Sequence, residues 1–499
     1  MAAPTDESFL EPGRTCWRTA RTPRAAFLMD NSAFFAAALG AIRKARRSIM
    51  LLGWGFDPRA RMWPDEECAE GAPDEIGAVL KRMALREPNL DVRVLIWKSA
   101  LPVAISQDFF PHRSKAWFKG SPVRFMLDAT VPFGACHHQK VLVIDDRIAF
   151  CGGGDISVDR WDSPAHLDED RRRRMPSGKE HVPRHEVMMM VEGEAAAALG
   201  DLCRQRWYAA AGATVAPPLL EAGDDGDRWP EIITPDVGPV TIGIARTYPK
   251  WRKQPETREC EALHLEAIGR ARRTIYLENQ YFTSPVIADA LARRLAEPEG
   301  PEVVVVSTGQ SPSWFDQSTM DRTRSRLLEQ LTRADAHGRF RAWRPETKGG
   351  ATIIVHSKVS IIDDHFMRVG SANLNNRSFG FDTECDLAFH AATEADAAAI
   401  ARFRARLLGH FTSFSPAAIE ETTRERGLIA ALADATAASD RTRLVPIAPV
   451  EMDPLSAFIA EYHVGDPLDP LDAWRPFLRK RRMQRKLARV ERIATDPAS

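Results

Sequence analysis

Two short segments of the chain set an imidazole beside an ammonium at the same spacing. His138-Gln-Lys140-Val-Leu-Val-Ile-Asp145 and His356-Ser-Lys358-Val-Ser-Ile-Ile-Asp363 share the pattern His-x-Lys-x4-Asp. Residues two apart in an extended segment project from one face, so each His and its Lys point the same way from the start of an apolar strand. An imidazole can attack or carry a proton. An ammonium can hold an anionic oxygen where charge concentrates in a transition state. Asp145 and Asp363 follow at an odd offset, on the other face, and are expected to hold turns or ion pairs. By the same alternation His137 points away from His138. A single copy would read as an ordinary strand end, but two copies in equivalent places do not.

The elements that must position these residues are themselves duplicated. Ala41-Ile-Arg-Lys-Ala-Arg-Arg-Ser-Ile49 matches Ala267-Ile-Gly-Arg-Ala-Arg-Arg-Thr-Ile275, each closing an amphipathic helix just before an apolar strand. Val92–Trp97 has a counterpart in Val303–Ser307, and Val141–Ile144 in Val359–Ile362. Helices alternating with strands predict an α/β fold of two fused, homologous αβα sandwiches with one site at their interface. The expected units are an N-terminal extension (1–25), a first half (26–215), a Pro-, Gly- and Asp-rich linker (216–238), a second half (239–415) and a helical, basic tail (416–499). Residues 163–184, with the cluster Arg171 to Arg174, read as a long exposed loop.

With its flanks, the motif pair resembles the phospholipase D superfamily, whose members carry duplicated His-x-Lys-x4-Asp motifs. Gly152-Gly-Gly-Asp155 and Arg160-Trp-Asp162-Ser-Pro-Ala-His166 follow the first motif. Gly370-Ser-Ala-Asn373-Leu-Asn-Asn-Arg-Ser378 and Asp382-Thr-Glu384 follow the second, and Glu278-Asn-Gln-Tyr-Phe282 precedes it. The resemblance spans about residues 25 to 408. It implies that His138 is the nucleophile, forming a phosphohistidine, that His356 is the general acid, and that Lys140 and Lys358 bind the non-bridging oxygens. Asn373, seventeen residues after His356, is expected to donate to phosphate; Asp155 holds the matching place after His138 and is expected to pair with Lys140 or face a cationic headgroup. Ser371 and Gly370 should shape a phosphate loop. Each histidine needs an acceptor at its other nitrogen; Glu384 is expected to serve His356, and Glu186 to serve His138.

The rest of the sequence narrows the partners. Lys plus Arg equals Asp plus Glu at 68 each, so no global field draws in nucleic acid. Seven scattered cysteines without a CxxC pair suggest neither disulfides nor zinc, and no His, Asp or Glu cluster has ligand spacing. Neither metal nor cofactor is expected. No apolar run is long enough to span a bilayer, so a cytoplasmic protein meeting lipid from the water side is expected. The double histidine, the Gly-Gly-Gly-Asp turn and the Arg-Trp-Asp segment resemble the phospholipase D branch, acting on a glycerophospholipid. A cardiolipin synthase-like phosphatidyltransferase, a phosphodiesterase of nucleic acid and a non-catalytic lipid-binding relative are the alternatives. Trp54, Trp161, Tyr281 and Trp314 are candidates to line a headgroup or acyl-chain pocket, though packing explains any one of them. The basic run from Trp474 to Arg492 reads either as an amphipathic helix on anionic lipid or as a solvated tail.

Overall fold

A computed structural model describes residues 9–64, 74–99, 111–219, 226–437, 439–440, 442–447 and 454–495. Period-two patterning builds two sheets of matching design. In the first half the strands lie in the order Ala25–Met29, Val187–Glu192, Ile148–Gly152, Val141–Ile144, Ser48–Gly53, Asp91–Trp97 and Arg124–Asp128. The last three run parallel and the remaining pairings are antiparallel. Val240–Tyr248, Glu384–His390, Phe366–Gly370, Val359–Ile362, Thr274–Glu278, Glu302–Val306 and Phe340–Glu346 repeat that order and those senses in the second half. The fold is α/β, as the alternation of elements predicts.

Alternate residues of each strand go to different cores. Ile49, Leu51, Met188 and Met190 pack under the outer helices Asp30–Arg43 and Ile76–Arg86. Met50, Leu52, Met189 and Val191 point inward, into one apolar core shared with Tyr276, Val304, Val359 and Leu387 of the second half. Helices Glu194–Ala211 and Glu394–His410 complete this shared core, with Phe27 and Phe403 of opposite halves 4.8 Å apart. The halves are joined by a continuous interior, and burying it together fixes their relation.

Four segments carry detail beyond the sequence expectation. Arg18–Thr22, in the N-terminal extension, pairs with Val240–Tyr248 as an edge strand of the second sheet. Arg443–Pro446, a strand within the otherwise helical tail, covers the opposite edge beside Phe340–Glu346. The 163–184 segment is anchored rather than simply exposed: Arg173 is buried and donates to the Leu167 and Asp168 carbonyls, while Asp168 accepts from Gly349 N in the second half. The basic tail is a docked helix, Pro476–Thr495, in which Arg479 is buried against the Asp472 and Ala473 carbonyls and Arg482 and Lys486 pair with Asp469 and Glu261. Residues 220–225 of the linker, and Cys68, lie outside the described residues; the six described cysteines are free and buried.

Candidate active site

Each motif histidine stands just before a buried strand, and the segment leading into it pairs with the other half. His138 N donates to the Thr383 carbonyl at 2.9 Å, and Thr383 N to the Cys136 carbonyl. In the second motif, Ile354–Val355 pairs parallel with Arg184–His185, and His356 N donates to the His185 carbonyl at 2.8 Å. These pairings place the residue after Thr383 beside His138, and the residue after His185 beside His356.

The carboxylates are therefore exchanged relative to the expectation. Glu384 lies 3.0 Å from Nδ1 of His138, and Glu186 lies 2.5 Å from Nδ1 of His356. Sequence reasoning paired each His within its own half because it could not see the strand pairing between halves. Among the described residues, Nε2 of neither ring makes a hydrogen bond, so that atom is left for chemistry.

Hydrogen-bond bookkeeping separates the two rings. His138 Nδ1 also lies 3.1 Å from the Ser371 carbonyl, which can only accept, so Nδ1 carries the proton and Nε2 the lone pair. Around it, the Ser371 and Ser378 hydroxyls donate to the two oxygens of Glu384, since each already accepts a backbone N–H, from Cys385 and Asn373. Glu384 thus acts as an acceptor. His356 has no such carbonyl at Nδ1. Its partner Glu186 is fully buried, and burial pushes that carboxyl up to about 7, so at neutral pH it can hold a proton and donate to Nδ1, leaving the hydrogen of His356 on Nε2. Burial pushes Glu384 up as well, against the two hydroxyls that lower it.

Both imidazoles are held well below their ordinary range, first by burial and then by lysines of both motifs, which act on each ring. The two motifs thus converge on one electrostatic site. Lys140 and Lys358 are buried, and each Nζ donates to the carbonyl of the His before it. Their surroundings differ. Lys140 Nζ lies 3.2 Å from Asp155, whereas Asn373 occupies the equivalent place after Lys358. Burial, without a comparable contact, lowers Lys358 to about 7.

Other site residues fall as follows. Asp155 does not present a free carboxylate to a substrate: one oxygen meets Lys140 and the other accepts from Trp54 N and Gly55 N. Ser371 does not offer its hydroxyl to phosphate, because Glu384 holds it and the side chain is fully buried. Asn373 keeps a buried amide whose Oδ1 has no hydrogen-bond partner among the described residues. Gly370 is required by contact, since a Cβ there would lie 1.9 Å from Asp386; at Gly153 it would lie 2.2 Å from Glu186. Asp145 takes three backbone N–H groups, of Arg46, Arg47 and Ser48, together with Arg228; Asp363 takes those of Arg272, Arg273 and Thr274. His137 is turned away, between Thr383 and Asp128. Trp54 stacks on Trp97, Trp161 is buried under Arg172, Tyr281 is half-buried beside Asp316, and Trp314 is 78% exposed. Glu278, assigned no role from sequence, accepts from the Ser357 hydroxyl at 2.8 Å and Tyr276 at 2.5 Å, and so fixes the middle residue of the second motif.

Two sheets of equivalent topology bring the paired His-x-Lys motifs to one buried site. Residues 264–406 match the family described as cardiolipin synthase, PLD-like domain. Phospholipase D A of Dictyostelium discoideum is 24% identical over 74% of this chain and 33% of its own length. Cardiolipin synthase A of Pseudomonas entomophila is 25% identical over 72% of this chain and 64% of its own length. The match thus spans about a third of the first relative and just under two thirds of the second. The solved phosphatidylserine synthase of Haemophilus influenzae shares the fold at a TM-score of 0.52, with 15% identity over 79% of this chain and 88% of that one. The family match and the named relatives support the phospholipase D superfamily for this chain. Among the described residues, no helix is long and apolar enough to cross a membrane.

Proposed function

We propose that the protein is a phospholipase D, cleaving a glycerophospholipid to phosphatidic acid and the headgroup alcohol through a phosphohistidine. The observation that carries this reading is that two motif histidines share one buried site, each with Nδ1 on a carboxylate, and that only His138 has a carbonyl, of Ser371, at that nitrogen as well. His138 presents an Nε2 lone pair, and its bond to phosphorus forms as the bond from phosphorus to the headgroup oxygen breaks. The Nε2 proton of His356 goes to that oxygen. Water then gives a proton back to His356 while its oxygen attacks phosphorus, and the phosphorus–nitrogen bond breaks. Lys358, with no carboxylate at contact distance in the place Asp155 occupies beside Lys140, matches the charge of the phosphate.

A lipid substrate is favoured by exposed aromatic side chains. Phe133, five residues before His138, is 79% exposed and lies 5.7 Å from the ring of Trp474, which is 71% exposed. Phe315 and Phe477 are exposed as well. Such amphipathic and apolar rings suit a lipid interface. A phosphatidyltransferase of the cardiolipin synthase kind is the second reading, supported by relatives of that name; an acceptor alcohol would replace water in the second step.

The deciding experiment measures headgroup release from phosphatidylcholine vesicles, with and without ethanol, for the protein and for His138→Ala and His356→Ala. Choline with phosphatidic acid, diverted to phosphatidylethanol by the alcohol and lost in both variants, is the expected result. Inertness there, with cardiolipin formed from phosphatidylglycerol, would replace hydrolysis by the transferase reading. Failure on both lipids would reject both.

A further inference from the structure

Behind the active site, four residues far apart in sequence bring their ligand atoms together. Asp30 begins the first long helix, His166 lies in the anchored 163–184 segment, His185 immediately precedes Glu186, and His410 ends helix Glu394–His410. One ligand atom from each lies within 4.8 Å of every other. Nε2 of His166 and Nε2 of His410 face each other at 2.7 Å. Among the described residues, Oδ2 of Asp30 is buried without a hydrogen bond, although it lies 3.2 Å from Nε2 of His410 and 3.8 Å from Nε2 of His166. Oδ1 lies 2.9 Å from Nδ1 of His185.

We propose that Asp30, His166, His185 and His410 form a structural site for one divalent transition-metal ion of the zinc class, stapling the two halves together. The donor set, three imidazoles and one carboxylate, suits tetrahedral zinc, whose ligand bonds of about 2.0–2.2 Å can be made by small shifts of atoms already this close. Two of the imidazoles are braced as metal-bound histidines are. Nδ1 of His166 lies 2.8 Å from Asp162, and Nε2 of His185 lies 3.0 Å from Glu278, so in each ring the carboxylate holds the far nitrogen and turns the near one to the cluster. Four protein ligands close the coordination shell, which marks the site as structural. Three ligands come from the first half and His410 from the second. The carbonyl of His185 receives the N–H groups of His356 and Ser357, so an ion here would also fix the backbone on which the second motif rests.

The test loads the full-length protein, dialysed free of metal, with Zn2+ or Co2+ alone. The expected results are one ion retained per chain after desalting, a rise in melting temperature on adding Zn2+, and with Co2+ the strong visible absorption of a four-coordinate ion. His166→Asn and His410→Asn should each lose the ion, while His138→Asn keeps it. If those two variants do not fold, stoichiometry and the Co2+ spectrum of the unaltered protein decide. No retained ion, a six-coordinate Co2+ spectrum, or an ion lost only in His138→Asn would overturn the proposal. The histidines would then be a hydrogen-bonded cluster around a buried carboxylate, and an ion lost only in His138→Asn would belong to the catalytic motif.

Discussion

Glu186 of the first half lies 2.5 Å from Nδ1 of His356 in the second, while Glu384 of the second half braces His138 in the first. The two carboxyls do different work, because Glu384 meets two hydroxyl donors and a ring N–H whereas Glu186 can be the donor itself. An amide can replace a donor but only poorly an acceptor of three hydrogens. Glu384→Gln should therefore lower kcat by about two to four orders of magnitude, and Glu186→Gln by about tenfold or less. Steady-state kinetics of the pair check this; equal losses would remove the basis for giving the rings distinct roles.

The same distinction predicts a dependence on the leaving group. His356→Asn removes the proton donor, so it should retain measurable cleavage of a nitrophenyl phosphodiester, whose leaving group needs no proton, while being inactive on a choline ester. His138→Asn should be inactive on both. A denaturing quench at alkaline pH, where the phosphorus–nitrogen bond survives, followed by peptide mass spectrometry should place the phosphoryl group on the peptide containing His138.

Activity should fall on the alkaline side. Glu186 is pushed up to about 7 and Lys358 down to about 7, so as pH rises through that value one loses the proton that sets the His356 tautomer and the other its charge. The expected kcat/KM profile declines above about pH 7. Asn373→Asp would supply Lys358 with the counterion that Lys140 has in Asp155, moving the limb to higher pH and raising KM.

Stability carries the opposite sign for Lys358. Its folded value lies below the ordinary 10.5, so its charge penalises folding below pH 7, and that penalty is relieved between about 7 and 10.5. Lys358→Met should raise the melting temperature at pH 7 while abolishing activity. Lys140→Met should not stabilise the protein, because it leaves Asp155 buried without its ammonium.

Asp145 and Asp363 hold equivalent helix-to-strand turns but differ in burial. Asp145 is fully buried and also pairs with Arg228, so Asp145→Ala should cost about 3–5 kcal/mol in denaturant unfolding. Asp363 is partly exposed, and Asp363→Ala should cost about 1–3 kcal/mol.

Trp474→Ala combined with Phe133→Ala should lower activity on vesicles about tenfold, by loss of apolar contact, and leave activity on a dispersed short-chain phospholipid unchanged. A parallel loss on both substrates would assign these rings to the fold instead.

The motifs, their strands and the duplication were legible in the sequence because each depends on spacing within one segment. Period-two patterning alone separates Met189 from Met188 and Met190 and so assigns the two cores. The exchanged carboxylates were not legible: Glu186 and Glu384 are placed by parallel pairing between segments about 170 and 246 residues apart from their histidines. The cluster of Asp30, His166, His185 and His410 was hidden for the same reason, since no two of its members fall at a ligand spacing along the chain. Arg18–Thr22 and Arg443–Pro446 were missed because an edge strand with one buried face and charged flanks looks like a terminal extension.

Arg18–Thr22 has a bearing on how the protein can be handled. It satisfies the outer row of amide and carbonyl groups on Val240–Tyr248. A chain trimmed to begin at Arg24 would bare that row, and an uncovered strand edge recruits another like itself. Shortened versions should therefore self-associate in solution even when the catalytic centre is intact, and the loss of a few residues distant from the chemistry would surface as insolubility.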